Sequence, residues 1–357
     1  MGANRYLPVI DLRPAEMFAL QELPEKDKEQ LRPLIGLRRW SASHELSKSV
    51  DRITKAFGTR ACFLEMGEED PVESGQERPV HSQLKDLRSP ENGFQNWHDF
   101  FLEERHAHFT PGLQTGGSPA EFELQIERLI SIGRGLIVRI DKPTSLVVGA
   151  LCSLIAAKVK LAENVTLVLD FGKKSEQFLL EEGSVKSLVS LARTLCPRAD
   201  IAVCASSFPD SFTSITSQRI FERVLFERLA KHDRAIIYSD RGSARAERQQ
   251  GGGGLPAPRI DYAKKDSWSF FRQSSPLATP FLGYQSQSID LIQSETWEPK
   301  LKLWGAQMIE KTAAGDEEGG ISSPNRSTAV RINLHLHRQL YFNDEESFLD
   351  TDEDWVD

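Results

Sequence analysis

Cysteine is scarce in this chain: its 357 residues contain only four, and no two of them form a Cys-x-x-Cys pair. That scarcity excludes a disulfide framework and the usual zinc-binding spacings. All four thiols lie among apolar residues, and no histidine lies close to any of them in the sequence to act as a base. We therefore expect buried, reduced thiols in a cytoplasmic protein at Cys62, Cys152, Cys196 and Cys204.

Other absences narrow the class further. No apolar run approaches the ~20 residues that a membrane span needs. The first residues form no basic-then-apolar leader, so we expect neither a membrane protein nor an exported one. The sequence also has no P-loop, no dinucleotide fingerprint, no His-Glu-x-x-His motif and no Gly-x-Ser-x-Gly elbow.

The net charge of −8 is concentrated at one end of the chain. Eight of the 52 acidic residues lie in residues 343–357, which leaves 44 acidic against 44 basic residues in the rest. A neutral body has no overall field that attracts nucleic acid, although local basic patches remain open.

Eight short apolar runs, each ending in a polar or charged residue, alternate with segments of helical spacing. Eight repeats of strand and helix are typical of an α/β fold, a closed parallel (β/α)8 barrel of the TIM type. Such barrels carry their chemistry at the carboxyl ends of the strands. The predicted strands are Tyr6–Leu12, Leu34–Leu37, Cys62–Glu65, Phe109–Gln114, Leu136–Ile140, Val165–Asp170, Ile201–Ala205 and Ala235–Ser239.

The pattern divides the chain into three parts. Residues 1–240 are the predicted barrel core, residues 241–342 a C-terminal lid, hairpin and closing segment packed on it, and residues 343–357 an acidic tail predicted to be disordered. Alternating aromatic residues predict a β-hairpin over 259–273 with its turn near Lys264–Asp266. Loops are predicted at 67–90 and 241–258, helices at 15–31, 44–57 and 217–231, and either a strand or a helix at 329–341.

Charged side chains follow most of the predicted strands, so a barrel would bring them together at one mouth. Arginine beside carboxylates can bind an anion through paired hydrogen bonds, while carboxylates can transfer protons or hold a divalent cation. The alternative is a structural ion-pair network that plugs the barrel. The catalytic candidates are Asp170, Asp240 and Glu65, and the ligand-binding candidates are Arg139, Arg13, Asp141 and Arg241.

Two histidines, His335 and His337, alternate near the end of the chain. On a strand they would share a face and could ligate a metal, but no third ligand is apparent from the spacing, so we assign no metal site. A packing role is the alternative for both.

The order of several segments resembles the phage and bacterial "beta protein" family. The likeness begins at YLPVIDLRPAEMFALQELPEKDKEQLRPLIGL and continues through LIVRID, VTLVLDFG, ASSFPDS, DYAKKDSWSFFRQ and GISSPNRSTAVRINLHLHRQL. The resemblance implies a barrel and supports Arg139, Asp170 and Asp240. It adds ligand-binding candidates at Ser207, Trp268, Arg272, His335 and His337. Asp11 and the Gly36-Leu37 pair depart from the family pattern.

We therefore expect a barrel that binds, or as a hydrolase cleaves, a small anionic compound that is phosphate-bearing or nucleotide-like, in conflict between phage and host. The alternative is a non-catalytic adaptor that uses the barrel as a scaffold and binds a protein partner through residues 343–357. Nucleic-acid binding through the basic residues after position 240 ranks third.

Overall fold

Eight parallel strands form one continuous sheet, as the eight apolar runs predict. The computed structural model describes residues 6–69, 77–212, 214–244, 257–272 and 279–351. Within these residues the strands of the sheet are β1 (Tyr6–Asp11), β2 (Leu34–Leu37), β3 (Cys62–Met66), β4 (Phe109–Pro111), β5 (Leu136–Asp141), β6 (Val165–Lys173), β7 (Asp200–Ser206) and β9 (Ile236–Asp240). Continuous β-branched and leucine runs suit these strands because both of their faces are covered.

The sheet closes into a barrel through β4 and β5. Its strand order is β4, β3, β2, β1, β9, β7, β6, β5, so β4 and β5 are the two ends. Gly112, directly after β4, pairs with Ile137 of β5, and the Leu113 amide donates to the Ile137 carbonyl at 2.9 Å. A Cβ on residue 112 would lie 2.8 Å from the Leu64 carbonyl oxygen, so this contact requires glycine. The barrel prediction is confirmed.

Alternation along the strands decides which side chains face the lumen, because successive residues of a strand point to opposite sides. One buried apolar cluster holds every second residue of these strands: Leu7, Val9, Leu34, Phe63, Ile137, Val168, Ala202, Cys204 and Ile237. Counting on in twos from these inward positions places Glu65, Arg139 and Asp170 inward at the carboxyl ends. The same count places Asp240 outward, on the side of Tyr238.

Helices follow most of the strands and cover the outside of the sheet. Within the described residues they are α1 (Pro14–Gln21), α2 (Glu25–Gln30), α3 (Ser47–Phe57), α4 (Pro79–Leu87), α5 (Glu91–Leu102), α6 (Pro119–Ser131), α7 (Ser145–Lys158), α8 (Glu182–Leu195), α9 (Phe221–Ala230), α10 (Pro280–Ile292), α11 (Trp304–Ala313), α12 (Pro324–Leu340) and α13 (Glu345–Leu349). Short 3₁₀ turns lie at Glu104–His106, Lys160–Ala162 and Glu176–Glu181. None of the helices described is long and apolar enough to cross a membrane.

The helix predictions need three corrections. The predicted helix 15–31 is two helices, α1 and α2, because Pro24 lies between them and cannot continue a helix. The predicted loop 67–90 contains α4, which begins at Pro79, a residue favoured in the first turn. The predicted helix 217–231 begins instead with a strand, β8 (Ser217–Arg219), before α9.

The hairpin prediction is confirmed. Strands β10 (Arg259–Ala263) and β11 (Ser267–Arg272) pair antiparallel, with the turn at Lys264–Asp266, and β8 adds a third strand beside β11. The predicted loop 241–258 lies largely outside the described residues, which omit 245–256.

The closing segment and part of the tail are helical. Residues 329–341, predicted as either a strand or a helix, form the last part of α12 up to Leu340, with Tyr341 as its C-cap. The tail prediction was wrong over 345–349, which form α13 with Phe348 buried. The contacts that order this helix come from α12, the hairpin turn and α2, and its own short acidic sequence does not reveal them. Residues 352–357 lie outside the described residues.

Candidate functional site

Three of the predicted residues meet inside the barrel mouth. Arg139 Nε lies 2.9 Å from Glu65 Oε1, and Arg139 Nη1 lies 3.0 Å from Asp170 Oδ2. Asp170 is fully buried, and its Oδ1 accepts a 2.9 Å hydrogen bond from the Gly172 amide. One guanidinium therefore bridges two carboxylates that come from β3 and β6. We call Glu65, Arg139, Asp170 and Arg241 the mouth cluster.

Arg241 completes the cluster from the end of β9. Its Nη2 donates to Asp170 Oδ2 at 2.5 Å, so Asp170 is shared by two guanidiniums. Burial opposes the charged form of Arg241, but the Asp170 carboxylate together with Cys204 and Asp11 outweighs it, and the pKa of this guanidinium is raised. The buried Arg241 Nε has no hydrogen-bond partner among the described residues.

Glu65 differs from Asp170 in its exposure. Burial raises the pKa of Glu65, although the adjacent Arg139 charge opposes the shift. Its side chain keeps 13% exposure, whereas that of Asp170 has none. Of the predicted catalytic carboxylates, Glu65 is therefore the one placed to exchange a proton with a ligand at the mouth.

A second group of charges lies at the ends of β1 and β2. Asp11 Oδ2 is 3.1 Å from Arg13 Nη2 and 3.4 Å from Arg38 Nη1, and the Asp11 amide donates to Glu16 Oε2 at 2.5 Å. A Cβ on residue 36 would lie 2.9 Å from Asp11 Oδ1, so the glycine that departs from the family pattern leaves room for the aspartate that also departs from it.

Glu16 is buried, and burial together with the neighbouring Asp11 charge raises its pKa from 4.5 to about 8. Between these two pKa values the native state keeps a proton on Glu16 that the unfolded chain has released. The free energy of unfolding should therefore fall as pH rises from about 5 towards 8. Replacing Glu16 by glutamine removes this term and preserves the acceptor for the Asp11 amide. We expect Glu16→Gln to match wild type at pH 5 and to exceed its unfolding free energy by about 3 kcal/mol at pH 8.

Urea denaturation at several pH values measures this difference. Glu22→Gln is the matched control, since Glu22 directly follows the same helix and its side chain is partly exposed. Parallel stability curves for wild type and Glu16→Gln would contradict the assignment of a buried neutral carboxyl.

Asp240 faces away from the mouth cluster and does not join it. Its Oδ1 accepts hydrogen bonds from Tyr6 Oη (2.6 Å) and the Gly242 amide (2.7 Å). Its Oδ2 contacts Tyr238 Oη (2.8 Å) and His335 Nε2 (2.7 Å). Burial opposes ionisation of Asp240, but His335 and these donors outweigh it and lower the pKa of the carboxyl. Four groups of the protein thus occupy the positions that a substrate would need.

His335 is held by two protein groups. The Trp268 indole donates to His335 Nδ1 at 3.3 Å, so the ring proton lies on Nε2 and points to Asp240. Both His335 and Trp268 are fully buried, so the chain Trp268–His335–Asp240 joins the hairpin and α12 to the barrel wall. The ligand-binding prediction for His335 and Trp268 stays a prediction, and in the structure both side chains lie buried between the hairpin, α12 and the barrel wall.

His337 points elsewhere. Side chains at positions i and i+2 of a helix point about 200° apart around its axis. His335 and His337 therefore cannot share a face of α12 as they would on a strand. His337 Nδ1 lies 2.6 Å from Asp27 Oδ2, and its Nε2 lies 2.9 Å from the Phe348 carbonyl oxygen. The two histidines therefore serve separate contacts.

The remaining predicted residues lie outside the mouth cluster. Ser207 is buried, its Oγ contacts the Glu222 carboxyl, and it accepts the Phe221 amide at 3.0 Å, so it fixes the start of α9. Asp141 is exposed at the end of β5, and Arg272 is exposed at the end of β11. No group of three or more histidine, cysteine, aspartate or glutamate side chains suited to a metal ion occurs in the described part of the chain.

A cavity of about 280 Å³ lies at the carboxyl ends of β2 and β3, against α4. Basic side chains face two glutamates in its wall. The buried Arg39 Nε has no hydrogen-bond partner among the described residues. Arg88 donates to the Gly67 carbonyl at 2.5 Å and pairs with Glu69 at 3.2 Å. The lining residues are Arg38, Arg39, Glu68, Glu69, His81, Leu84, Lys85 and Arg88.

A comparison with known protein families shows to which family the chain belongs. A family model described as Beta protein matches residues 6–341. The chain belongs to the beta protein family. A relative, Protein beta of Enterobacteria phage P4, is 29% identical over 344 residues, which cover 94% of this chain and 92% of that protein.

The beta protein match confirms the resemblance carried by the segments quoted above. The matched range contains every barrel strand, the mouth cluster and the cavity, and it ends before α13. Sequence reasoning missed Glu16, Arg39, Lys85 and Arg88. The Arg38-Arg39 doublet directly after β2 was a usable signal, whereas Lys85 and Arg88 were hidden because the composition of their segment is typical of a loop.

Proposed function

We propose that this beta protein binds a small anionic ligand, of the phosphate-bearing class, in the cavity at the carboxyl ends of β2 and β3. The observation that carries the proposal is the set of basic side chains in its wall, Arg38, Arg39, Lys85 and Arg88, which face only two carboxylates among the described lining residues, those of Glu68 and Glu69. An anion in the cavity would balance this excess positive charge and accept hydrogen bonds from the guanidinium groups.

The chemistry of the wall suits phosphate. Guanidinium groups match phosphate oxygens in pairs, and lysine adds a compact positive charge. The volume of about 280 Å³ lies at the lower end of ordinary ligand sites, which fits a phosphate group with a small attached body. Leu84 gives that body one apolar contact in the wall.

The charges at the ends of β1 and β2 support the same placement. Arg38 lines the cavity and also pairs with Asp11, so the cavity is continuous with the charges at the ends of the strands. Glu65, on the strand that leads to the Gly67 carbonyl, is the candidate proton-transfer group if the ligand is cleaved. A role in conflict between phage and host belongs to this proposal because a relative is a protein of phage P4.

Isothermal titration with inorganic phosphate, pyrophosphate and a nucleoside monophosphate tests the proposal. We expect at least one of these anions to bind wild type, and Arg39→Ala to weaken that binding by roughly 10-fold or more, since a charge-assisted hydrogen bond contributes about 1.5–3 kcal/mol. Binding should also weaken as salt concentration rises.

Arg198→Ala is the matched control. Arg198 is exposed, pairs with Glu163, and precedes β7, at the opposite end of the barrel from the cavity. It should leave anion affinity unchanged. Equal affinity of Arg39→Ala and Arg198→Ala, or no binding of any of the three anions, would overturn the proposal.

A further inference from the structure

The C-terminal segment 344–351 occupies a groove on the outside of the barrel. Its helix α13 has only five residues, which is too short to be stable alone in water. Its order therefore depends on what it contacts. The family match ends at residue 341, so the segment lies beyond the part of the chain that defines the beta protein family.

An aromatic anchor fixes the middle of the segment. Phe348 keeps 8% exposure, with its ring 5.3 Å from the His337 ring and the Arg338 guanidinium 4.1 Å above it. The Phe348 carbonyl lies 2.9 Å from His337 Nε2, while Asp27 Oδ2 lies 2.6 Å from His337 Nδ1. The His337 ring is therefore held between α2 and the backbone of the segment.

Charge complementarity fixes the two ends of the segment. Arg338 holds Glu345 through two hydrogen bonds, of 2.9 and 2.5 Å, and Lys265 Nζ adds a third contact at 3.2 Å. These partners lower the pKa of Glu345 to about 2, the Arg338 hydrogen bond being the largest cause. At the other end Lys26 Nζ lies 3.0 Å from Asp350 Oδ2. We call the surface formed by Lys26, Lys265, His337 and Arg338 the C-terminal groove.

We propose that the C-terminal groove is a binding site for an acidic peptide segment with a Glu-x-x-Phe pattern, presented by another protein, and that residues 344–351 occupy it as an intramolecular competitor. The groove is built from α2, α12 and the hairpin turn, all of which lie within the part of the chain that precedes the segment. A segment joined to the barrel has a high effective concentration, which keeps the groove filled until a partner competes.

The test uses the full-length chain and a labelled peptide with the sequence of residues 343–351. The double variant Glu345→Ala/Phe348→Ala removes the guanidinium contact and the anchor from the resident segment. Fluorescence anisotropy should show that this variant binds the peptide at least 10-fold more tightly than wild type does. A peptide with alanine in place of the phenylalanine should lose this binding.

Glu346→Ala is the matched control, because Glu346 is an exposed acid of the same helix whose side chain takes no part in the groove contacts described above. It should behave as wild type. Circular dichroism confirms folding, and the single variant Glu345→Ala serves if the double variant is unfolded. The proposal is overturned if the folded double variant, or the single variant used in its place, binds no peptide or binds the peptide as weakly as wild type does. It is also overturned if the wild-type protein is a dimer that Phe348→Ala converts to a monomer, because the groove would then hold the segment of a second copy.

Discussion

Asp240→Ala is expected to lower the free energy of unfolding by about 4 kcal/mol. The substitution leaves Tyr6, Tyr238, His335 and the Gly242 amide without their shared acceptor in a fully buried site. Each unsatisfied buried donor is unfavourable, and the carboxyl that now satisfies these donors has no exposure to water.

Urea denaturation followed by circular dichroism measures the loss. Asp141→Ala is the control, since Asp141 also ends a barrel strand but is exposed, and its effect should stay within about 0.5 kcal/mol. The loss of unfolding free energy for Asp240→Asn should lie between the losses for Asp240→Ala and Asp141→Ala. A loss under about 1 kcal/mol for Asp240→Ala would mean that the network around this carboxyl does not hold α12 to the barrel.

Asp170→Ala is expected to reduce the unfolding free energy by about 3–5 kcal/mol, because it leaves Arg139 and Arg241 without their common carboxylate in the barrel mouth. Arg139 retains Glu65, so its side chain has one partner left. Arg241 loses the carboxylate that accepts its Nη2 hydrogen bond. Removing one of the two guanidiniums as well should therefore recover part of the loss.

A double-mutant cycle of Asp170→Ala and Arg241→Ala tests that coupling. We expect an interaction energy of roughly 1–3 kcal/mol between the two sites. Asp170→Ala paired with Arg198→Ala, which lies at the other end of the barrel, should be additive. Additive losses for the Asp170 and Arg241 pair would show that the mouth cluster is not a coupled network.

The barrel was predictable because its strands are continuous apolar runs with little competing helical signal. The direction of the Asp240 side chain could not be read from the end of its strand alone. It depends on the inward and outward alternation along β9, counted from a residue known to face the lumen. Val168 leads by two residues to Asp170, whereas Ile237 leads by two to Ser239, so Asp170 and Asp240 differ in side. Strand ends alone place charges at a mouth, and only the inward or outward alternation decides which of them enter it.

Other parts depended on tertiary contacts that the local sequence pattern does not reveal. The alternating histidines of α12 suit a strand as well as a helix, and their partners Asp27 and Asp240 decide between the two. The acidic tail resembles a disordered segment by composition, yet Arg338 and Lys265 fold its first turns onto the barrel. Composition contains no information about such partners.

The cavity was hidden for a similar reason. Its wall joins a doublet after β2 to residues of α4, and α4 lies in a stretch whose glutamate, proline and glycine content is typical of loops. The proposed anion site therefore rests on the fold of that stretch, and a direct view of a bound anion tests it without reference to any enzyme activity.

The most direct measurement is anomalous X-ray diffraction from crystals soaked in tungstate, an electron-dense analogue of phosphate. We predict a tungsten peak in the cavity within hydrogen-bond reach of Arg39, with the peak absent from Arg39→Ala crystals treated in the same way. Wild-type crystals with tungsten bound only elsewhere, or with none bound at all, would contradict the anion site on which the proposed function depends.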